Sequence, residues 1–184
     1  MINKLISFLG NTLSHNKAAI IPVYSIIAFM IYSWTLITFF YTLPSWIKFL
    51  TLKEITIIFA YAMIIDLFES IIVLVGLLFL YSLLPKSWLK DGFALHGTWF
   101  AISYLGNIMV YFIPTFKINQ WIPNPRLWFI IIFFVAILTT LFFSRLSILK
   151  KSTFFLLERM PTFLAIFIPV SVISLFIITI KLFF

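Results

Sequence analysis

Residues 55–83 read ITIIFAYAMIIDLFESIIVLVGLLFLYSL, an apolar run interrupted near its middle by Asp66, Glu69 and Ser70. A helix rises ~1.5 Å per residue, and the hydrocarbon core of a bilayer is ~30 Å thick. A run of this length is expected to cross a membrane as one helix. It is too long for a strand, and it lacks the period-two alternation of a membrane barrel. Four further stretches qualify: about Ala18 to Tyr41, Gly97 to Phe116, Leu127 to Ser144 and Thr162 to Ile180. Lipid offers no hydrogen bonds, so each segment must pair its backbone groups internally. The expected fold is an all-α integral membrane protein, a five-transmembrane-helix bundle forming one membrane domain over residues 1–184.

Composition points the same way. Of 184 residues, 64% are hydrophobic and 10% are charged, against about 45–50% and about 25% in soluble domains. A soluble monomer and a disordered chain are both excluded on this basis. The absence of cysteine excludes a disulfide-built module. No cleavage site of small residues follows the first apolar run, so a signal peptide is not expected.

The joints between runs carry proline, which removes a donor and clashes one turn back. Leu43-Pro44-Ser45, Leu84-Pro85-Lys86, Ile122-Pro123-Asn124-Pro125 and Met160-Pro161 all fall there. Pro169 lies inside the fifth run and predicts a kink, its freed carbonyl satisfied by Ser171 or a neighbouring helix. Trp46, Trp88, Trp99, Trp121 and Trp128 sit near run ends, as an interfacial belt requires, and Trp34 alone lies deep.

Lysine and arginine predict orientation. Lys4, Lys17, Lys86, Lys90, Arg145, Lys150, Lys151 and Arg159 fall on one side, and Lys48, Lys53, Lys117, Arg126 and Lys181 on the other. Eight against five puts the N-terminus in the cytoplasm and the C-terminus outside. The net charge of +8 follows from the same scattered residues, so no nucleic-acid partner is implied. Lysine outnumbers arginine ten to three, and phenylalanine and isoleucine abound. An AT-rich genome and a bacterial cytoplasmic (inner) membrane are the corresponding expectations.

Three segments are expected to lie flat at the interface as short amphipathic helices: about 2–14, 45–53 and 146–160. The first sets Ile2, Leu5, Ile6, Leu9 and Leu13 against Asn3, Lys4, Ser7, Asn11 and Ser14. In the third, Lys150 and Lys151, with Arg145 and Arg159, are candidates for anionic lipid headgroups. An ordinary connector beside lipid is the plainer reading of all three.

No zinc-protease, hydrolase, Walker or dinucleotide motif is present, so a non-catalytic role without cofactor is expected. His15, His96 and Asp91 lack the spacing of a metal site, and both histidines read as interfacial. There is no internal repeat and no GxxxG pair, which weakens an inverted-repeat transporter and implies limited backbone-to-backbone packing.

The remaining signal is the polar cluster. Asp66 and Glu69 are three apart, about 60° from each other on one helix, with Ser70 adjoining. A mid-bilayer charge costs roughly 2.5–3.5 kcal/mol on insertion scales. Side by side, at least one of the two acids is expected to be protonated, hydrated or paired with a cation. No basic residue lies deep in another run. Asn107, with Ser103 and Tyr104 nearby, is the expected internal partner, and Ser33 and Thr35 are further candidates. Three readings follow: a proton or cation site in a transport path, a contact to a basic or polar group on a partner's helix, or a purely structural network. A small glycine-poor bundle without a soluble domain favours a non-catalytic accessory subunit of a larger membrane complex, with membrane lipids and other subunits as partners. A small transporter or channel component is the alternative, and a lipid-handling protein acting through Lys150 and Lys151 is a weaker third.

Overall fold

In the computed structural model, residues 2–83, 92–117, 125–144 and 146–183 are described, for 2–18 and some helix ends through the backbone alone. They form six helices and no strand: α1 (Ile2–Trp46), α2 (Leu52–Leu83), α3 (Gly92–Lys117), α4 (Pro125–Phe143), α5 (Ser147–Arg159) and α6 (Pro161–Phe183). Four are long and apolar enough to cross a membrane: Ala19–Trp46 within α1, α2, Arg126–Phe143 within α4 and Pro161–Lys181 within α6. The third helix, whose side chains are described only as far as Phe112, is not among these four. Thr98, Ser103, Gly106 and Asn107 dilute its apolar run.

Paired residues give the directions. Tyr24 meets Ser70 and Tyr32 meets Met63, so α1 and α2 are antiparallel. Phe29 packs on Phe163 and Tyr32 on Phe167, so α6 runs parallel to α1. Gly97 faces Val23 and Gly106 faces Met30, so α3 also runs parallel to α1. Along α3, Trp99 packs on Phe143, Ser103 meets Thr139 and Tyr111 packs on Trp128. These pairs run almost the length of α4, antiparallel to it. Helix α1 is the hub, touching α2, α3, α5 and α6. Its Val23, Ile26, Ile27 and Ile31 join Leu77, Phe93, Ala101, Leu105 and Leu157 in the main core. A second core joins Ala28, Tyr32, Met63 and Leu164.

Small residues let the helices approach. Ala136 and Thr140 on α4 and Ser144 just past its end recur every fourth residue and are all buried, as are Gly97 and Ala101 on α3 and Ser171 and Ser174 on α6. The described glycines meet only side-chain atoms or open space, so the small residues in the seams are mostly of other kinds. Serine, threonine and alanine fill these seams, and the hydroxyls of Thr140, Ser144 and Ser171 donate to the preceding turn, as with Thr140 to Ala136 O at 2.6 Å.

The joints differ from expectation in three places. Helix α1 runs unbroken from Ile2, so segment 2–14 continues the first span instead of forming a separate helix. Pro44 lies inside the last turn of α1, which extends to Trp46, and residues 47–49 then form a turn closed by Leu50 N–H to Trp46 O at 2.8 Å. The expected surface helix at 45–53 is thereby replaced by a tight turn, because Thr51 starts α2 directly. Its N–H and hydroxyl donate to Glu54 Oε2 at 2.8 and 2.9 Å, and Glu54 N–H approaches Thr51 Oγ1 at 3.4 Å, a reciprocal capping box. Segment 146–160 does form a short helix, α5, packed across the bundle end against α1, α3 and α6 through buried Thr153 and Leu157. Helix α6 continues through Pro169, and Ser171 donates within the helix to Phe167 O at 3.0 Å.

Candidate functional site

The two acids of α2 part company. Asp66 is turned inward and only 3% exposed, whereas Glu69 is exposed on the outer face of the helix. The angular separation of ~60° is enough to place one in the helix–helix seam and the other outside it. Ser70, four residues after Asp66, stays on the inner face and is fully buried.

Asp66 Oδ1 accepts a hydrogen bond from Thr35 of α1 at 2.8 Å. Its Oδ2 is buried and has no hydrogen-bond partner. A buried polar atom left unsatisfied costs about 1–3 kcal/mol, so this oxygen is the least comfortable atom of the seam. One turn along α2, Ser70 meets the Tyr24 hydroxyl at 3.2 Å and itself donates to Leu67 O at 2.8 Å. One turn the other way, Tyr32 and Ser171 hydroxyls lie 2.5 Å apart. Ser171 reaches Met63 O at 3.2 Å, which fastens α6 to α2. The result is a polar column through the α1–α2–α6 seam, with the carboxylate in the middle and aromatic hydroxyls above and below.

Asn107 is not part of it. Its Nδ2 donates to Ser103 O at 2.7 Å within α3, and the Ser103 hydroxyl turns to Thr139 of α4 at 2.6 Å. Tyr104 stacks on Phe100, with ring centroids 5.6 Å apart. The expected juxtaposition of Asp66 with Asn107 therefore fails, because the Asn107 amide is bonded within α3, Ser103 and Tyr104 meet α4, and α3 packs on α1 through Gly97 and Gly106. Thr35, named in the sequence as a further candidate, is the residue that reaches the acid. Tyr32 carries no signal beyond being a hydroxyl in an apolar run, and the sequence singles out Ser171 only as a partner for the carbonyl freed by Pro169.

On α5, Lys151 and Arg159 are exposed and Lys150 is half-buried. The Arg159 guanidinium lies 4.9 Å from the Phe155 ring centroid. Arg145 lies outside the described residues, as do Lys86, Trp88, Lys90, Asp91 and Trp121. His96 is buried and Nδ1 donates to Gly92 O at 3.0 Å, an internal rather than interfacial placement. Among the described residues no three His, Asp or Glu side chains gather as a metal site would need.

No family model, curated protein or solved structure matches the chain.

Proposed function

We propose that this chain is a non-catalytic subunit of a larger membrane complex, docked through the outer face of α2. The observation that carries the reading is Glu69: an acid exposed near the middle of a helix long enough to span, with Ile65, Phe68 and Ile72 exposed around it. Facing lipid, such a group is costly, whereas a basic or polar side chain on a partner's helix would satisfy it. Gly76, two turns further along the same stripe, is exposed, with open space where a Cβ would stand. A partner helix can approach closely there. Asp66, held inside by Thr35, has a different task, which is to fix the α1–α2 seam.

The reading includes five spans, with the N-terminus in the cytoplasm and the C-terminus outside, in a bacterial inner membrane. The pairing of α3 with nearly all of α4 supports α3 as the fifth span. A second reading, a proton or cation site in a transport path, draws on the unpartnered Oδ2 of Asp66.

Native mass spectrometry of the tagged chain, extracted from its own membrane, separates them. The expected result is a stoichiometric partner whose recovery falls about tenfold with Glu69→Leu, the loss of one interhelical hydrogen bond of ~1–2 kcal/mol. Recovery of the chain alone, or a partner indifferent to Glu69→Leu, overturns the subunit reading. Flux in liposomes that vanishes with Asp66→Asn would then establish the transport reading.

A further inference from the structure

Helices α2 and α6 are antiparallel, so the start of one and the end of the other meet at the same end of the bundle. Between them lies a groove of about 530 Å³ lined by Lys53, Thr56, Ile57, Ile177, Ile180 and Lys181. Its two cations are contributed by different helices, and both are exposed. Lys181 Nζ sits 5.4 Å from the centroid of the Tyr61 ring, which holds the ammonium over an aromatic face. The acid nearest Lys53 in the chain, Glu54, already has its carboxylate engaged by Thr51. The groove thus gathers positive charge at its mouth and isoleucine along its wall.

We propose that this groove is a binding site for one anionic phospholipid, with the phosphate at Lys53 and Lys181 and an acyl chain along Ile57, Ile177 and Ile180. Three observations favour that occupant. The lysines stand at the ends of two apolar helices, the depth at which headgroup phosphates lie. The wall is apolar, which a soluble anion does not need. The charge is of one sign, which a zwitterionic headgroup, bringing its own ammonium, matches less well. The bound lipid would bridge α2 to α6 at the end opposite α5. The site is separate from Glu69 and stands whether or not the chain is a subunit.

The test reconstitutes the full chain in nanodiscs of phosphatidylcholine and phosphatidylglycerol at three to one, then counts retained lipids by native mass spectrometry. The wild type is expected to retain one phosphatidylglycerol in preference to phosphatidylcholine. Lys53→Gln with Lys181→Gln should reduce that retention at least about fivefold, given about 1 kcal/mol per basic residue at a charged surface. Lys48→Gln, an exposed lysine in the turn before α2 that does not line the groove, should leave it unchanged. A thermal shift of the wild type by short-chain phosphatidylglycerol, absent with inorganic phosphate, is the second readout and requires no variant. Equal retention of both lipids, retention insensitive to Lys53 and Lys181, or an equal shift by inorganic phosphate overturns the proposal.

Discussion

Thr35 and Asp66 show what a single hydroxyl does in an apolar seam. The Thr35 bond satisfies one carboxylate oxygen and leaves the other bare. Thr35→Val is close to isosteric and removes only the donor, so it should destabilise the folded chain by about 1 kcal/mol, near the upper range for interhelical bonds in membranes. In an Asp66→Leu background the same change should cost almost nothing, because no acceptor remains. Unfolding in mixed micelles of all four combinations measures the coupling; equal costs in both backgrounds would mean that the bond contributes nothing. The sequence made Asp66 conspicuous, since an acid flanked by apolar residues on both sides stands out whatever the fold. It also placed Thr35 among the possible partners. It could not choose Thr35 over Asn107, because that choice depends on which face of α3 meets α1 and which meets α4. Nor could it separate Asp66 from Glu69, because a ~60° difference decides burial only once the seam's direction is known.

At the scale of elements, boundaries were less legible than spans. The Thr51 to Glu54 spacing has the capping-box form. The stretch 45–53 also alternates in an amphipathic way, and the tight turn prevailed because the cap lets α2 begin at once. Proline was over-read at Pro44: its missing N–H frees one carbonyl near a helix end, where the last turn has unpaired carbonyls in any case. The small residues in the seams are mostly serine, threonine and alanine. Gly97 is the glycine where three helices crowd. A Cβ there would lie 3.2 Å from Leu77, 3.3 Å from Phe93 and 3.3 Å from Val23, whereas at Gly106 the nearest atom, of Met30, is 3.9 Å away. Gly97→Val should therefore cost about 1–3 kcal/mol by overpacking, and Gly106→Ala should change stability by no more than about 0.5 kcal/mol. Thermal unfolding of the two variants in one detergent compares them directly; equal losses would show that α3 shifts freely against α1 and α2.

For the whole molecule, the question left by the helices is whether α3 crosses the membrane. Among the described residues four helices meet the requirement on length and apolarity alone, and α3, whose side chains are described only as far as Phe112, is not one of them. Its packing argues the other way. Contacts from Trp99 to Tyr111 follow α4 from Phe143 to Trp128, so α3 occupies the same depth as a helix that is long and apolar enough to span. Ser103 is turned into a bond with α4 and Asn107 into one with its own preceding turn, which lowers the cost of holding these two in lipid, while Thr98 Oγ1 and Trp99 Nε1 are buried without a partner. An odd number of crossings sets the two termini on opposite faces, and the distribution of basic residues then gives the direction. The chain has no cysteine, so single cysteines report without background. Lys90→Cys and Asn119→Cys flank α3. In intact cells a membrane-impermeant maleimide should label Asn119→Cys and leave Lys90→Cys untouched until the membrane is opened. Labelling of both from the same face would place α3 along the membrane instead of across it, reduce the crossings to four and bring both termini to one side.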